Sequence, residues 1–367
     1  MKKLLKHALF HNLAKSSIAV PLKMNLSEQS FGSNEQQINL EHNKRARLIQ
    51  LNEVNQSLSS DSTFVGFIEK YKYFGKDSGT SRDEISKELY MSGFLLLDFS
   101  ESKERTIFLA QKSPEGPPAH RVQTLDVIIA TYNEVTTIEE VVNSILELTI
   151  EGLFIKIIII EGNSSDGTRD KIMQYVDHPR VTLILEEEPK GKGFAVRLGL
   201  AKASSDLVLI QDADLEYDVN DYEALVRPLM TGVVSFVLGA RERTLNAKLG
   251  VRHFEDAVLL SRMANIANHF FRLLFNTTYR TSLRDPFTMY KVFRRDCIHS
   301  LNFESEKFDF DWEILAKLLR IGYQPLEIPV SYESRSFKEG KKTKIISDPL
   351  TWVIACFKFK LKKINDL

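Results

Sequence analysis

Short runs of valine, isoleucine and leucine recur after residue 120, and segments of helical length separate them. The runs are Leu125–Ala130, Ile155–Ile160, Val181–Leu185, Leu207–Gln211 and Val234–Leu238. Helices are predicted between them near residues 138–148, 168–176, 193–203 and 219–230. Strands that are apolar on both faces and alternate with helices are typical of a parallel sheet covered by helices on both sides. The pattern predicts an α/β fold of this kind, with ligands bound beyond the carboxyl ends of the strands.

Elements of other kinds follow. A long helix is predicted over Phe254–Phe275, and another opens at the acidic run Phe308–Glu313. Glu327–Tyr332 predicts an edge strand, because Pro329 has no N–H to donate to a ladder. Residues 347–363 predict an amphipathic helix with an apolar stripe and a cluster of lysines near its end; the stripe is Leu350, Ile354, Phe357 and Leu361.

The first 120 residues lack this alternation. Met1–Pro21 carries lysines and no acids, and it predicts an amphipathic surface helix, a targeting peptide or a frayed end. Residues 22–62 are polar without a sustained period and predict a linker, partly disordered. A helix over Arg82–Tyr90 and a hairpin then predict a small α+β appendage. The expected division of the chain is 1–62, 63–120, 121–346 and 347–367.

Composition narrows the functional classes. Hydrophobic residues make up 43% of the chain, which suits a globular enzyme. The 49 basic residues equal the 49 acidic residues, so bulk charge gives no indication of a nucleic-acid partner. Two distant cysteines are too few for a disulfide framework, and no apolar run reaches the length needed to span a bilayer. A cytoplasmic enzyme, with contact to the inner face of the membrane as an option, is the expectation.

Polar loops follow the first two predicted strands. Thr131, Tyr132 and Glu134 end the first strand, and the loop Glu161–Thr168, which contains Asp166, ends the second. Such loops turn tightly and offer hydrogen-bond acceptors to a nucleoside base and ribose. Each loop taken alone also fits an ordinary β–α turn. After the third strand, Lys192 and Gly193 open a helix, where a lysine, a close backbone and the helix N-terminus favour a phosphate.

Asp212-Ala213-Asp214 carries the strongest chemical signal, with Glu216 next along the chain. A buried strand ends in two carboxylates that repel one another unless a cation or other donors neutralise them. Carboxylate oxygens suit Mg²⁺ or Mn²⁺, which would in turn bind the phosphate oxygens of a donor. The alternative is a solvated turn with helix-capping acids.

Further charged residues follow the sheet. Arg241 and Arg262 are candidate phosphate ligands, and Asp285 lies directly before a proline, where it is either a functional acid or a turn residue. The segment from Arg335 to Lys344, which includes Lys341, holds five cations against one acid. It predicts either a phosphate-binding lid or a solvated loop.

Taken in order, these motifs resemble the family 2 glycosyltransferases with the GT-A fold, and most of all their polyprenol-phosphate sugar transferase branch. The resemblance covers roughly residues 125–345. It rests on the TYNE, SSDGT, GKG-x-A-x-R, DAD and G-A-R motifs, the DP-x-T segment with F-R-R, the FDFDWE helix start and the basic loop.

The resemblance implies inverting transfer of a sugar from a nucleotide-diphospho-sugar to a lipid-phosphate or glycan acceptor, with a divalent metal. It implies that Tyr132 and Glu134 border the nucleoside and that Asp212, Asp214 and Glu216 hold the metal. Phosphates would meet Arg241, Arg262, Arg335 and Lys341. The chain departs from many relatives at Gly162, where they carry an aspartate that reads the base, and at Thr288-Met289-Tyr290, where they carry Ser-Gly-Phe.

The acceptor decides which catalytic groups are needed. A polyprenyl phosphate is already nucleophilic at neutral pH, so cations alone could position it. A hydroxyl acceptor needs a general base, for which Asp285 is the best candidate. Two other classes remain open: a nucleotidyltransferase, which would need a glycine-rich loop where this chain has Thr131–Glu134, and a non-catalytic relative.

Overall fold

The computed structural model describes residues 30–31, 35–40, 44–58, 62–69, 72–73, 76–77, 80–101, 105–241, 258–299, 301–335 and 347–363. The chain forms two compact units. The first comprises Met1–Arg121 with Thr231–Val233, and the second comprises Val122–Met230 with Val234–Leu367. Met1–Pro21 and Lys341, both named above, lie outside the described residues.

The first unit is built on a mixed sheet with helices. Its strands are β1 (Ser30–Phe31), β2 (Glu35–Asn39), β3 (Thr63–Glu69), β4 (Lys72–Tyr73), β5 (Lys76–Asp77), β6 (Phe94–Glu101) and β7 (Arg105–Lys112). The main sheet has the order β1-β2-β3-β7-β6, and its helices are α1 (Lys44–Ser57) and α2 (Arg82–Met91). The predicted helix and hairpin are both present. The helix is α2, and the hairpin strands β6 and β7 belong to the larger five-stranded sheet.

The expected linker over residues 22–62 is wrong where β2 and α1 form. Helix α1 buries Leu51 and Val54 on one face, and its remaining positions are mostly polar, which hid it from the hydrophobic pattern. Its Arg47 is buried and reaches Glu88 of α2, with 2.8 Å between Nε and Oε2. Such a pair favours folding only because each charge has its partner.

The second unit carries the predicted α/β sheet. Its strands are β8 (Gln123–Thr131), β9 (Leu153–Glu161), β10 (Val181–Leu185), β11 (Leu207–Asp212), β12 (Phe236–Arg241), β13 (Lys291–Arg294) and β14 (Leu326–Val330). Its helices are α3 (Ile138–Glu147), α4 (Thr168–Met173), α5 (Lys192–Lys202), α6 (Tyr222–Met230), α7 (Val258–Tyr279), α8 (Phe310–Arg320) and α9 (Ser347–Leu361). The strand order is β10-β9-β8-β11-β13-β12-β14, and β14 is an edge strand as predicted.

One strand was not predicted, and it makes the sheet mixed. Strand β13 lies antiparallel between β11 and β12, while the other neighbouring pairs are parallel. Its four residues include two cations, Lys291 and Arg294, so its sequence does not resemble a core strand. Both are fully buried and paired, Lys291 with Asp311 and Arg294 with Asp296. Because β13 runs in the opposite direction, its first residue lies at the edge where the parallel strands end.

Strand register brings the polar motifs together at that edge. Asp212 of β11 pairs with Ala130 of β8, and Thr131 of β8 pairs with Glu161 of β9. Leu185, at the end of β10, pairs with the same Glu161. The convergence expected from a sheet with parallel strands is therefore observed. Among the described residues, no helix is both long enough and apolar enough to cross a membrane.

Candidate active site

Two carboxylates at the end of the central strand β11 form the centre of the site, and each contacts a cation of the chain itself. Lys192, at the start of α5, places its Nζ against Asp212 Oδ1. The guanidinium of Arg335 lies 2.5 Å from Asp214 Oδ2 and 2.8 Å from Glu134 Oε2. The sequence-predicted residues Glu134, Lys192, Asp212, Asp214 and Arg335 are thus brought into one cluster.

The carboxylates of this cluster repel one another, and this repulsion shifts the pKa of Asp214. Burial, followed by repulsion from Asp212 and Glu216, raises the pKa of Asp214 to about 7, whereas Arg335 and a backbone N–H oppose the shift. Burial alone would lower the pKa of Lys192, but Asp212 and Asp311 reverse the effect and raise it. The acid pair is therefore a site at which added positive charge is favourable.

Glu216 contacts the segment that carries Arg335. Its carboxylate accepts hydrogen bonds from the Tyr332 hydroxyl at 2.7 Å and from the Arg335 backbone N–H at 2.9 Å. Both oxygens thus hold the segment that carries Arg335 against the acid pair. Across the described parts of the chain, no three acidic, histidine or cysteine side chains come together as a complete metal site. Asp212, Asp214 and Glu216 all lie at or just beyond the end of β11, and their role as metal ligands stays a prediction.

Arg241 and Asp285 are bonded to each other, which corrects the separate roles expected for them. The Arg241 guanidinium donates from Nε to Asp285 Oδ2 at 2.6 Å and from Nη2 to Asp285 Oδ1 at 2.7 Å. Both side chains are buried, at 7% and 4% exposure. Burial alone would raise the pKa of Asp285, but Arg241 outweighs it and lowers the pKa. A carboxylate held in this way is a poor general base, and the Arg241 fork is already filled.

The loops after β8 and β9 are tied together by Asp166. Its Oδ1 accepts from the Thr168 backbone N–H at 3.0 Å, and its Oδ2 accepts from the Val135 N–H at 3.1 Å. Burial would raise the pKa of Asp166, but the hydrogen bonds from Thr168 and Val135 lower it. Asp166 thus organises the loop, and the ligand contact expected from sequence stays a prediction.

Three further expected residues differ in their surroundings. Glu161 is fully buried and paired with Arg169, so its carboxylate is neutralised within the protein. Tyr132 is 40% exposed at the end of β8, where its ring can face a ligand. Arg262 is exposed on α7. The ligand contacts expected for these three residues stay predictions.

Gly193 has a packing reason for being glycine. A Cβ at this position would lie 2.7 Å from the Lys307 backbone oxygen and 2.8 Å from the Ser305 backbone oxygen. Real Cβ atoms do not approach backbone oxygens this closely, so α5 packs against the chain before α8 only without a side chain here. This contact gives Gly193 a structural role, and the approach of a phosphate to it stays a prediction.

Sequence reasoning missed several residues at the site. Met289 places its Sδ 3.2 Å from Lys192 Nζ, next to the acid pair. Buried Lys291 pairs with Asp311 of α8, 3.0 Å apart, and burial lowers the pKa of this lysine. The acidic FDFDWE run indicated that Asp311 could be functional, but a helix-capping role explained it equally well. Nothing in the sequence indicated that Lys291 lies at the site, because its strand was not predicted.

Known proteins share this architecture. The model of glycosyl transferase family 2 matches residues 126–301. Glycosyltransferase AglJ of Haloferax volcanii is 25% identical over 225 residues, which are 61% of this chain and 66% of that protein. Dolichyl-phosphate beta-glucosyltransferase ALG5A of Trichomonas vaginalis is 25% identical over 234 residues, 60% of this chain and 68% of that protein. The chain thus spans about two thirds of the length of these relatives.

A shorter sequence match and a structural match agree with these two relatives. Dolichol-phosphate mannosyltransferase of Pyrococcus furiosus is 31% identical over 108 residues, 29% of this chain and 30% of that protein. Glucosyl-3-phosphoglycerate synthase of Mycobacterium tuberculosis, solved with Mn²⁺, UDP and phosphoglyceric acid, superposes with a TM-score of 0.50 at 18% identity. The superposition covers 66% of this chain and 80% of that chain. At this identity the likeness shows the fold alone.

The second unit is therefore an α/β domain of the GT-A type, with an acid pair at the carboxyl end of a central strand. More particularly, its residues 126–301 match the model of glycosyl transferase family 2. The resemblance drawn from the order of its motifs is confirmed, and so is the class of enzyme that it implied.

Proposed function

We propose that this domain transfers a sugar, with inversion, from a nucleotide-diphospho-sugar to the phosphate of a polyprenyl lipid. The observation that carries the proposal is the acid pair Asp212 and Asp214, held at the strand end by cations of the chain. Lys192 and Arg335 offset the charge of the pair and lie where a diphosphate bound there would meet them.

The residues fit a divalent cation, Mg²⁺ or Mn²⁺, shared with the substrate. Two carboxylates are too few for a site made of protein ligands alone, but Mg²⁺ usually binds one or two carboxylates together with substrate phosphates. Asp212 and Asp214 would supply those carboxylates. When bound, such a cation stabilises the negative charge that develops on the leaving nucleoside diphosphate.

Among the described residues, the best candidate for a general base is Asp285, and its contacts favour a phosphate acceptor over a hydroxyl. Its carboxylate accepts two hydrogen bonds from the Arg241 guanidinium and one from the Arg241 backbone N–H, and its pKa is lowered. An anionic phosphate oxygen needs no base, since its second pKa is about 6. In the proposed step this oxygen bonds to the anomeric carbon while the bond to the nucleoside diphosphate breaks, and no proton moves.

The names of the relatives agree with this acceptor. Dolichyl phosphate appears in the name of the glucosyltransferase from Trichomonas vaginalis, and dolichol phosphate in that of the mannosyltransferase from Pyrococcus furiosus. The solved synthase from Mycobacterium tuberculosis was crystallised with Mn²⁺, UDP and a phosphate-bearing acid. A nucleotide-linked donor and a phosphate-bearing acceptor are therefore the substrates we assign.

The test pairs two acceptors that differ only in the phosphate. The whole chain is incubated with a panel of radiolabelled nucleotide sugars, Mg²⁺ or Mn²⁺, and either a polyprenyl phosphate or the matching polyprenol. We expect labelled lipid from the phosphate alone. Equal labelling of the polyprenol would overturn the acceptor assignment, and release of no nucleoside diphosphate with any donor would overturn the reaction.

A lipid acceptor requires the enzyme to work at a membrane surface, and α9 offers one apolar face for this. Ala355, Cys356 and Phe359 pack into the core, while Ile354, Phe357 and Leu361 remain exposed. The stripe expected from sequence is therefore on the outside at these three positions. Lys358 and Lys362 both pair with Glu304, so only part of the lysine cluster remains for anionic headgroups.

Helix α7, which packs on α9, adds a second exposed apolar stripe. The Tyr279 hydroxyl at its end donates to the Cys356 backbone oxygen at 2.8 Å, and Phe271 lies edge to face with Trp352, 5.4 Å between ring centres. The exposed apolar residues of α7 are Met263, Ile266, Phe270 and Leu273. Apolar stripes of this kind suit the headgroup boundary of a bilayer.

Replacing Ile354, Phe357 and Leu361 together by serine is expected to weaken binding to anionic vesicles by more than about tenfold, because each side chain loses its burial in the bilayer. Vesicle co-sedimentation of the whole chain measures this. Stability should change little, since all three are exposed. Val176→Ser, at an exposed apolar position outside α7 and α9, is the matched control. Equal pelleting of the triple variant and the wild type would remove α9 from the membrane contact.

A further inference from the structure

One carboxylate near the ends of β8, β9 and β10 has an oxygen without a hydrogen-bond donor. Glu186 directly follows β10 and is 7% exposed, and its Oε1 has no hydrogen-bond partner among the residues that the structure describes. The neighbouring carboxylate of Glu161 differs, because it is neutralised by Arg169. A buried acceptor without a donor is costly, and native proteins keep few such groups. Burial also raises the pKa of Glu186, as expected for a carboxylate without a compensating donor.

Residue 162, beside Glu186, is glycine, so no side chain of this residue stands next to the carboxylate. A Cβ at position 162 would stand 3.3 Å from Glu186 Oε2 and 3.4 Å from Cδ2 of Tyr132. It would also stand 3.5 Å from the Thr131 backbone oxygen. The φ angle of Gly162 is not in the positive range, so backbone conformation does not require glycine here. The missing side chain therefore leaves room next to a carboxylate and an exposed aromatic ring.

Thr131 provides a second buried polar group at the same strand end. Its side chain is 3% exposed, and in the described part of the chain its hydroxyl has no hydrogen-bond partner. Its backbone oxygen accepts the Gly162 N–H at 2.9 Å, so the two residues are direct neighbours. Two unsatisfied buried groups and a partly exposed ring, grouped around one glycine, are the features of a specific polar ligand site.

We infer that Glu186 recognises the base of the donor nucleotide by accepting a hydrogen bond from a ring N–H, as in uracil or guanine. The inference rests on the proposed function, which supplies the nucleotide. Uracil N3 and guanine N1 each carry a hydrogen beside a carbonyl, whereas the matching ring nitrogens of cytosine and adenine carry a lone pair that a carboxylate repels. Tyr132 offers its ring to the face of the base.

The experiment measures binding of UDP, GDP, CDP and ADP to the whole chain by isothermal titration calorimetry, with Mn²⁺ present. We expect the wild type to bind UDP or GDP most tightly. Whichever of the two binds more tightly identifies the base of the donor. Glu186→Ala should weaken that diphosphate by about tenfold or more, the effect of one hydrogen bond to a charged group, and leave CDP and ADP unchanged. Glu188→Ala, at an exposed position in the same loop, is the matched control.

A carboxylate swap tests the geometry. In Gly162→Asp/Glu186→Ala the acid moves from the end of β10 to the end of β9, so it should restore at least part of the lost affinity. Asp214→Asn should instead weaken all four diphosphates alike, because it acts on the diphosphate. Unchanged binding of UDP and GDP by Glu186→Ala, or a wild-type preference for CDP or ADP, overturns the inference alone. Binding of none of the four by the wild type overturns the proposed function with it.

Discussion

Replacing Asp214 by asparagine is expected to lower sugar transfer by about a thousandfold while leaving the melting temperature equal or higher. Activity is lost because a neutral amide is a much weaker ligand than a carboxylate for Mg²⁺ or Mn²⁺. Stability is kept because burial and the charges of Asp212 and Glu216 raise the pKa of Asp214 to about 7. Such an acid loses stability as the pH rises from its unfolded pKa towards its folded pKa, and asparagine avoids that loss at neutral pH.

Transfer is measured with the labelled donor and polyprenyl phosphate, and stability by calorimetry. Asp212→Asn should lose activity to a similar extent, and Asp177→Asn, at an exposed position, should change neither quantity. A chelator should abolish transfer by the wild type, and Mg²⁺ or Mn²⁺ should restore it. Wild-type activity that persists in chelator would show that these carboxylates serve the reaction without a cation.

The sheet of the second unit was predictable because its parallel strands are apolar on both faces. The predicted run Val181–Leu185 has the bounds of β10, and the runs at Leu125 and Ile155 each extend further at both ends. Those extensions were missed because polar residues such as Gln123 and Glu161 continue the pairing beyond the apolar core. Strand β13 was missed because two of its four residues are cations. Both are buried in ion pairs, which no hydrophobic pattern indicates.

The first unit was less predictable because its elements are short and depend on one another. Phe64 of β3 packs at 5.1 Å from Phe94 of β6 and 6.0 Å from Phe108 of β7, measured between ring centres. These strands are far apart in the sequence, and the period of each alone is weak. Only their joint burial makes the sheet stable.

At the site, the sequence predicted which residues gather but not how they pair. Arg241 and Asp285 are 44 residues apart, and Arg335 and Glu134 are 201 apart, so no local pattern links them. Each cation could have met a phosphate as readily as a carboxylate. The pairings follow from strand order: β13 brings the segment of Asp285 beside β12, where Arg241 ends the strand.

Replacing Arg335 by alanine is expected to lower kcat/KM by about a hundredfold, the usual effect of losing one preorganised donor at a developing negative charge. In a solvated loop, the loss of one cation would leave stability almost unchanged. In the structure the side chain of Arg335 is 19% exposed and joins two buried carboxylates, Glu134 and Asp214. Removing the cation that both carboxylates contact should therefore cost about 1–3 kcal/mol of unfolding free energy as well.

The lysine variant separates charge from geometry at this position. Arg335→Lys keeps the positive charge but loses the planar fork that reaches Glu134 and Asp214 together, so its kcat/KM should fall between those of the wild type and the alanine variant. Arg227→Ala provides the control, because Arg227 forms an exposed ion pair with Glu223 within α6, and both activity and stability should stay near wild type. If Arg335→Ala and Arg227→Ala have equally small effects, the segment of Arg335 is a solvated loop. If lysine restores full activity, charge alone suffices and the two-carboxylate contact has no part in transfer.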